Sequence, residues 1–225
     1  IPTHFLRSIR ELYEERGHLD RVVQLARQLL AKEHLLEHTV AQDIRYYLCL
    51  SLARQRDPLM LEEVQKIHGP EHNFLLGFFY RRQGRAADAI ERLESCLEEP
   101  IVSSRAKREL VQVYVSIEDY ESASGLAKSN YEDNRRNPFH IQAYLNTLIN
   151  SKEAVANRDL LQRLIQELKS IGSDLANQMA DIAQAEYLAK IEGDYPAAVD
   201  VIEDAVHRYP DRHYPLLSKG FLAAR

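Results

Sequence analysis

The chain has 225 residues, of which 45% are hydrophobic and 28% charged, and its formal net charge is −5. This composition is typical of a folded globular protein and excludes a disordered chain, while the negative net charge disfavours a nucleic-acid-binding protein. The uncharged apolar runs are too short to cross a bilayer. We therefore expect neither a nucleic acid nor a membrane as partner.

The two cysteines, Cys49 and Cys96, form no C-x-x-C pair. This usage predicts a reducing, cytoplasmic location rather than a disulfide framework. The chain opens with Ile1-Pro2-Thr3, without an initiator methionine, a basic region or an apolar leader. We therefore expect a piece of a longer polypeptide whose other domains lie outside this sequence.

Apolar residues recur with a period close to 3.6 along nearly the whole chain, and no convincing stretch of period two occurs. Glycine and proline interrupt this pattern at short intervals, which predicts helices of ordinary length joined by tight turns. Short turns make consecutive helices antiparallel neighbours. About thirteen helices are predicted, at residues 3–16, 18–32, 39–56, 58–67, 71–83, 86–98, 103–117, 119–134, 138–151, 155–171, 174–192, 195–209 and 213–224.

Residues 34–38 read HLLEH, which is the H-x-x-E-H pattern of inverted zinc peptidases. Zinc catalysis needs both histidines on one helical face and a further protein ligand. However, His34 and His38 fall where one predicted helix ends and the next begins. A second copy, HGPEH at residues 68–72, contains Gly-Pro and cannot form a continuous helix. A zinc hydrolase is the least favoured hypothesis, and we predict no catalytic residue, no metal ligand and no cofactor.

An internal repeat is visible in two stretches where a helix ends at glycine and a small residue follows five positions later. They read LGFFYRRQGRAADAI at residues 76–90 and AEYLAKIEGDYPAAV at residues 185–199. The same spacing recurs from Glu118 to Ala123, and Gly84 and Glu118 lie 34 residues apart. A fixed period of this length indicates stacked copies of one helix–turn–helix unit.

This pattern resembles the tetratricopeptide repeat (TPR), a helix–turn–helix unit of about 34 residues. With the turn glycine counted as position 15, the middle unit matches the family pattern at Leu76, Gly77, Tyr80, Ala89 and Leu97. The last unit matches it at Ala198, Ala205 and Pro210. The clearest units span about 70–102, 104–137 and 179–212, and the other units are degenerate.

Small residues at positions 8 and 20 of each unit let paired helices approach closely, and each pair needs neighbours to bury its apolar face. The resemblance therefore implies an all-α fold, a right-handed α-solenoid of antiparallel helix pairs with about six irregular repeats. One domain is expected over residues 1–225. Cys49 and Cys96 fall at positions where a small buried side chain is expected, so neither is predicted to be a reactive thiol.

The resemblance also implies a binding surface, because the first helix of each TPR unit lines a concave groove. The groove positions correspond here to aromatic, arginine and amide side chains, which suit carboxylate or phosphate groups and peptide backbone. The predicted partner-binding residues are Phe74, Phe78, Arg81, Arg82, Arg105, Arg108, Gln112, Gln142 and Asn146. The competing interpretation is that these are ordinary exposed helix residues, with Phe74 and Phe78 packing between units.

We predict a non-catalytic module that binds a protein or peptide, and the arginines favour an acidic or carboxylate-bearing partner. Fold-level analogy suggests the sensor or scaffold part of a larger, bacterial multidomain protein. The alternative is an oligomerisation scaffold whose groove is filled by a neighbouring copy. Phe74 and Phe78 stand where the carboxylate clamp of chaperone-tail binders has lysine and asparagine, which argues against a co-chaperone role.

Overall fold

The computed structural model describes Ile9 and residues 18–209, and these residues contain helices and no β-strand. The α-helices are Leu19–Leu30 (α1), His38–Gln55 (α2), Met60–Val64 (α3), Glu71–Arg82 (α4), Ala86–Glu94 (α5), Ser103–Ser116 (α6), Tyr120–Asp133 (α7), Pro138–Asn150 (α8), Arg158–Ser170 (α9), Asp174–Tyr187 (α10) and Tyr195–Arg208 (α11). A 3-10 helix, Glu33–Leu35, precedes α2, and a π-helix, Leu188–Glu192, follows α10.

The predicted all-α fold is confirmed, and each predicted helix inside the described range has a counterpart. The predicted helices 3–16, apart from Ile9, and 213–224 lie outside that range. The prediction of one helix over 174–192 was right only in part, because the chain changes to a π-helix at Leu188. None of the described helices combines the length and the apolar character that crossing a bilayer requires. The right-handed course of the solenoid stays a prediction.

The chain divides into two compact units, residues 1–113 and 114–225, with the boundary inside α6. In the first unit α1 packs on α2, α2 packs on α3 and α4, and α4 packs on α5. In the second unit α7 packs on α8, α8 packs on α9 and α10, and α10 packs on α9 and α11. Contacts between alternate helices, as in α2 with α4, are expected of stacked helix pairs. The single domain predicted over 1–225 stays a prediction.

Besides Gly172 (φ +73°), which follows α9, four helix ends have turns with a left-handed backbone and share one hydrogen-bond pattern. Gly84 (φ +76°) follows α4 and Gly193 (φ +71°) follows the π-helix, and a residue without Cβ adopts this conformation at little cost. Arg56 (φ +59°) and Glu118 (φ +60°) occupy the equivalent positions after α2 and α6. In each turn the next amide donates a hydrogen bond to a carbonyl of the last helical turn. Two of the four turns therefore place a bulky side chain where glycine is favoured.

The contact between α4 and α5 depends on Gly77, at position 8 of the middle repeat. A Cβ atom on Gly77 would lie 2.5 Å from Cγ of Leu93 and 3.3 Å from the carbonyl oxygen of Ala89, both in α5. Leu93 and Ala89 are fully buried, so neither can move aside without disturbing the core. The prediction that small side chains at positions 8 and 20 allow close approach is confirmed for this helix pair.

A cluster of small and branched apolar side chains forms between the end of α10, the π-helix and α11 in the second unit. It consists of Ile182, Ala185, Ala189, Ala198 and Ile202. Ala198 and Ala205, predicted as small repeat positions, are fully buried. Pro210, the third predicted match, lies outside the described residues. The last repeat thus packs around alanines on both helices, as its sequence predicts.

We expect Gly77→Ala to lower the free energy of unfolding by about 2 kcal/mol, because the added methyl group overpacks the α4–α5 contact. Gly125 in α7 is the matched control, since its Cβ position has open space around it. Gly125→Ala should raise stability by about 1 kcal/mol through helix propensity. Urea denaturation followed by circular dichroism measures both changes. Effects of the same sign would contradict a close helix approach at Gly77.

Candidate functional site

Helices α2, α4 and α6 bring arginine and aromatic side chains together in the first unit. We call this group the arginine–aromatic cluster; its members are Tyr46, Phe74, Phe78, Arg81, Arg105 and Glu109. Spacings of four residues place Phe74 and Phe78 on one face of α4, and Arg105 and Glu109 on one face of α6. The cluster therefore joins three helices that are not consecutive in the chain.

The phenyl rings of Phe74 and Phe78 stack, with their centroids 6.3 Å apart and their planes inclined by 21°. Only 2% of Phe74 and 7% of Phe78 is exposed, so both rings belong mainly to the core. A guanidinium group lies over each ring, with Arg105 5.5 Å from the Phe74 centroid and Arg81 5.5 Å from the Phe78 centroid. The two predicted aromatic residues are thus buried. They contribute to the surface by holding Arg105 and Arg81 in place through cation–π contacts.

Arg105 is held by aromatic rings and neutral oxygens. Its guanidinium lies 5.4 Å from the ring centroid of Tyr46 and donates a hydrogen bond to the Tyr46 hydroxyl. Its Nη2 also donates to the carbonyl oxygen of Ile101 at 2.9 Å. These partners orient the guanidinium without neutralising its positive charge, so Arg105 can still attract an anion. Sequence reasoning missed Tyr46, although it occupies position 5 of the degenerate repeat whose turn residue is Arg56.

Arg81 is neutralised within the protein by Glu109. Nε of Arg81 lies 2.6 Å from Oε2 of Glu109, and the two side chains are 22% and 9% exposed. Arg108, which is 48% exposed, lies 3.9 Å from the other carboxylate oxygen. A buried carboxylate needs such a partner because burial penalises an isolated charge. Among the predicted site residues, Arg81 therefore has its charge balanced within the protein. Sequence analysis did not identify Glu109, because nothing in the sequence of its own helix marks it as the partner of Arg81.

We expect Arg81→Ala to lower the free energy of unfolding by about 3 kcal/mol, because it leaves the buried Glu109 carboxylate without its close partner. Arg108→Ala removes an exposed and more distant charge, so its effect should stay below about 1 kcal/mol. Urea denaturation at neutral pH compares the two variants. Similar small losses in both would contradict a structural role for the Arg81–Glu109 pair.

The remaining predicted residues of the first unit differ in exposure. Arg108 and Gln112 lie one turn apart on α6, and both are exposed. Arg82, at the end of α4, is half-buried and donates a long hydrogen bond of 3.5 Å to the carbonyl oxygen of Arg54. The predicted residues of α6 thus form a polar row, which consists of Arg105, Arg108 and Gln112. Arg82 lies apart from this row, at the end of α4.

Acidic side chains lie near the first turns of α2 and α4. Asp43 is near the start of α2, and Glu71 is the first residue of α4. Burial raises the pKa of Asp43, and the negative charge of Glu71 raises it further. Carboxylates therefore lie near the first turns of the two helices, where α2 also carries the buried Arg45, and Arg54 and Arg82 lie near their last turns.

The two predicted amide residues, Gln142 and Asn146, are half-buried on α8 in the second unit. Asn150 donates from Nδ2 to the Oδ1 atom of Asn146 at 2.8 Å and to its carbonyl oxygen at 2.7 Å. Lys190 in the π-helix donates in turn to Oδ1 of Asn150 at 2.8 Å. Burial raises the pKa of Glu186, and the charge of Lys190 opposes this rise. The structure thus connects Asn146 to a polar network that ends in the π-helix.

The HLLEH segment does not form one helix. His34 lies in the 3-10 helix Glu33–Leu35, and His38 is the first residue of α2. Leu36 and Glu37 between them are extended, with ψ angles of 148° and 142°. The histidines therefore do not occupy successive turns of a helix, as the zinc-peptidase pattern requires. Within the described part of the chain, no group of three or more His, Cys, Asp or Glu residues is arranged to hold a metal ion.

Cys49 and Cys96 are both buried free thiols. Burial raises the pKa of Cys49 to about 12, with a further contribution from the charge of Glu63. Burial likewise raises the pKa of Cys96. A thiol that stays protonated is a poor nucleophile. The prediction that both cysteines are small buried side chains is confirmed.

The pH dependence of stability should change in Cys49→Ala. In the unfolded chain the thiol ionises near its ordinary pKa of 9.0, whereas the folded protein keeps the proton to about pH 12. Stability of the wild type should therefore fall relative to Cys49→Ala by about 1 kcal/mol per pH unit above about pH 9. Urea denaturation of both proteins across this range measures the difference. Parallel pH profiles would show that the folded thiol ionises normally.

Comparison with known proteins supports the fold. No family model and no curated protein matches the chain. Among solved structures, the chain is similar to PilF of Pseudomonas aeruginosa, a TPR-containing protein, with a TM-score of 0.66 and 18% identity over 98% of this chain and 96% of that chain. It also matches a chain in the structure of Naa15/Naa10 bound to HypK-THB, with a TM-score of 0.44 and 15% identity over 98% of this chain and 39% of that chain. The similarity to PilF confirms a TPR-like helical-repeat fold.

Proposed function

We propose that the chain is a non-catalytic binding module that recognises an acidic peptide segment of a protein partner through α2, α4 and α6. A fold of this kind does not define a function by itself, so the proposal rests on the site. The observation that carries it is Arg105, whose guanidinium is oriented by Tyr46 and Phe74 and is not neutralised by them. An oriented guanidinium fork suits the planar geometry of a carboxylate.

The polar row on α6 gives this proposal its geometry. Arg105, Arg108 and Gln112 follow one another at spacings of three and four residues, so they share a face of the helix. Arg105 and Arg108 supply positive charge, and the Gln112 amide can both donate to and accept from a peptide backbone. The buried rings of Phe74 and Phe78 make the support rigid, which lowers the entropy lost on binding. A rigidly held positive charge beside an amide group favours a peptide that is both acidic and extended.

Further parts of the proposal follow from the sequence. Gln142 and Asn146 on α8 offer amides for peptide backbone in the second unit. The module is proposed to be the sensor or scaffold part of a larger bacterial protein. A cytoplasmic location agrees with the two free, buried thiols of Cys49 and Cys96.

Fluorescence anisotropy tests the proposal by measuring the binding of short fluorescein-labelled peptides rich in Asp and Glu. We expect these peptides to bind better than the same sequences with Asn and Gln, and Arg108→Glu to weaken binding about tenfold. Arg108 suits this test better than Arg81, because it is more exposed and lies 3.9 Å from the buried Glu109 carboxylate, whereas Arg81 lies 2.6 Å from it. The matched control is Arg163→Glu on α9, an exposed residue that donates a 3.4 Å hydrogen bond to the carbonyl oxygen of Asp159.

Two results would contradict the proposal. One is equal binding of the acidic and the amide peptides. The other is an equal loss of binding in Arg108→Glu and Arg163→Glu, since this would indicate an effect of net charge alone. Analytical ultracentrifugation addresses the alternative of an oligomerisation scaffold. A mass that rises with protein concentration and is unaffected by Arg108→Glu would favour the scaffold.

A further inference from the structure

A chain of hydrogen bonds in the second unit runs from the π-helix to α8. Nζ of Lys190 donates to Oδ1 of Asn150 at 2.8 Å. Nδ2 of Asn150 donates in turn to Oδ1 of Asn146, also at 2.8 Å. Lysine carries hydrogen-bond donors and no acceptor, so the first bond fixes which end of the Asn150 amide faces Lys190. We call Lys190, Asn150 and Asn146 the amide relay.

The amide relay also fixes the orientation of the Asn146 amide. Its Oδ1 atom accepts from Asn150, so its Nδ2 group is the donor at the far end of the relay. Asn146 is half-buried, and its Nδ2 group has no acceptor among the described residues. Consecutive hydrogen bonds polarise one another, and the positive charge of Lys190 strengthens this effect. The relay therefore presents one oriented N–H donor to a ligand that carries an acceptor.

Glu186 supplies an acceptor at the level of Asn146. Helices α8 and α10 pack on each other, and the bond from Lys190 to Asn150 joins their C-terminal ends, so the two helices run in the same direction. Glu186 precedes Lys190 by four residues, just as Asn146 precedes Asn150. Because the rise per residue is the same in both helices, this equal spacing places Glu186 beside Asn146.

The carboxylate of Glu186 has no partner of its own within the described part of the chain, since it forms no hydrogen bond and no ion pair there. Burial raises the pKa of Glu186, and the charge of Lys190 opposes the rise. A half-buried carboxylate without a hydrogen-bond donor is costly to keep in a folded protein. A second, independent observation is that Lys190 lies in a π-helix, a rare element that is frequent at functional sites.

We propose that Asn146 and Glu186 bind one amide group of a peptide partner, with Lys190 and Asn150 as positioning residues. The carbonyl oxygen of the bound amide accepts from Nδ2 of Asn146, and its N–H group donates to the carboxylate of Glu186. A ligand carboxylate would be repelled by Glu186, and a ligand ammonium group would offer Asn146 no acceptor. This inference deepens the proposed peptide-binding function and rests on it. A backbone amide and the side-chain amide of Asn or Gln have the same chemistry, and the experiment separates the two sources.

Fluorescence anisotropy on the full chain tests the site with the acidic peptides and their amide versions. In a series of these peptides, each backbone N–H group in turn is replaced by an ester oxygen, which removes one donor. We expect one ester position to weaken binding about tenfold, because the Glu186 carboxylate loses its donor. In Glu186→Ala the ester and the parent peptide should bind equally well, since the acceptor is gone.

The same measurement identifies the source of the amide. A loss at one ester position that disappears in Glu186→Ala assigns the site to a backbone amide. If no ester position matters, and replacing one Asn or Gln of the amide peptide by alanine gives a loss that disappears in Glu186→Ala, the bound group is a side-chain amide. An ester effect that persists unchanged in Glu186→Ala would overturn the inference.

Lys190→Met tests the amide relay, because methionine keeps the length of the side chain and removes the donor. We expect binding about fivefold weaker and a shift of the Asn146 side-chain amide signals in NMR spectra, and Lys190→Arg should restore both. The matched control is Lys128→Met on α7, which removes the same charge from a side chain that is 59% exposed. Equal losses of binding in Lys190→Met and Lys128→Met would overturn the role of the relay.

Urea denaturation separates lost binding from lost folding. Because the carboxylate of Glu186 is half-buried and unpaired, we expect Glu186→Ala to keep or raise the midpoint of unfolding. Glu186→Gln is a second variant that keeps an acceptor oxygen, so it should retain most of the ester effect. Loss of the ester effect in Glu186→Gln and Glu186→Ala alike, with both proteins destabilised, would indicate a structural role for Glu186 and overturn the inference.

Failure of this inference differs from failure of the proposed function. If acidic peptides are preferred and respond to Arg108→Glu, while no ester or alanine replacement depends on Glu186, the inference fails and the proposed function stands. If acidic and amide peptides bind equally and both show the Glu186-dependent effect, the inference stands and the preference for acidic peptides is wrong. If neither peptide binds, and the Asn146 side-chain signals stay unchanged at millimolar peptide, both are overturned.

Discussion

The close approach of paired helices is the constraint on which the rest of this structure depends. A single pair of short helices cannot bury its apolar face, so each pair gains stability only by packing against its neighbours. In the first unit the approach is set by Gly77, because Leu93 of α5 occupies the space that a side chain would need. With α4 held in this place, Phe74 and Phe78 meet arginines that would otherwise be free to move.

In the first unit, some arginines stabilise the fold by pairing with carboxylates, and others keep their charge available at the surface. Arg45 is buried, and its bonds to Glu33 (2.7 Å) and Glu63 (3.6 Å) connect α2 to the preceding 3-10 helix and to the α3 region. Its hydrogen bond lowers the pKa of Glu33. Arg81 serves Glu109 in a similar way. Arg105 is held by aromatic rings and neutral oxygens, so its charge remains available for a partner.

Much of the fold could be predicted from local signals. The 3.6-residue period and the turn glycines indicated the helices, and the small residues at Gly77 and Ala89 indicated where two helices meet. The π-helix at Leu188–Glu192 could not be predicted, because its contacts are remote in the chain: Arg158 donates to the carbonyl of Ile191 and Lys190 to Asn150. The left-handed turns at Arg56 and Glu118 also lacked the glycine that marks such turns.

The sequence by itself determined the helix–turn–helix repeat, the burial of Cys49 and Cys96, and the repeat positions that carry arginine, because each depends on spacing within one or two helices. Only the tertiary structure decided what each arginine does. Arg81 and Arg105 look alike in the sequence, yet Arg81 meets a carboxylate and Arg105 meets Tyr46, which lies 59 residues away in the chain. The packing of α2, α4 and α6 decides which group becomes the partner of each arginine. The role of a half-buried guanidinium then depends on the charge of that partner.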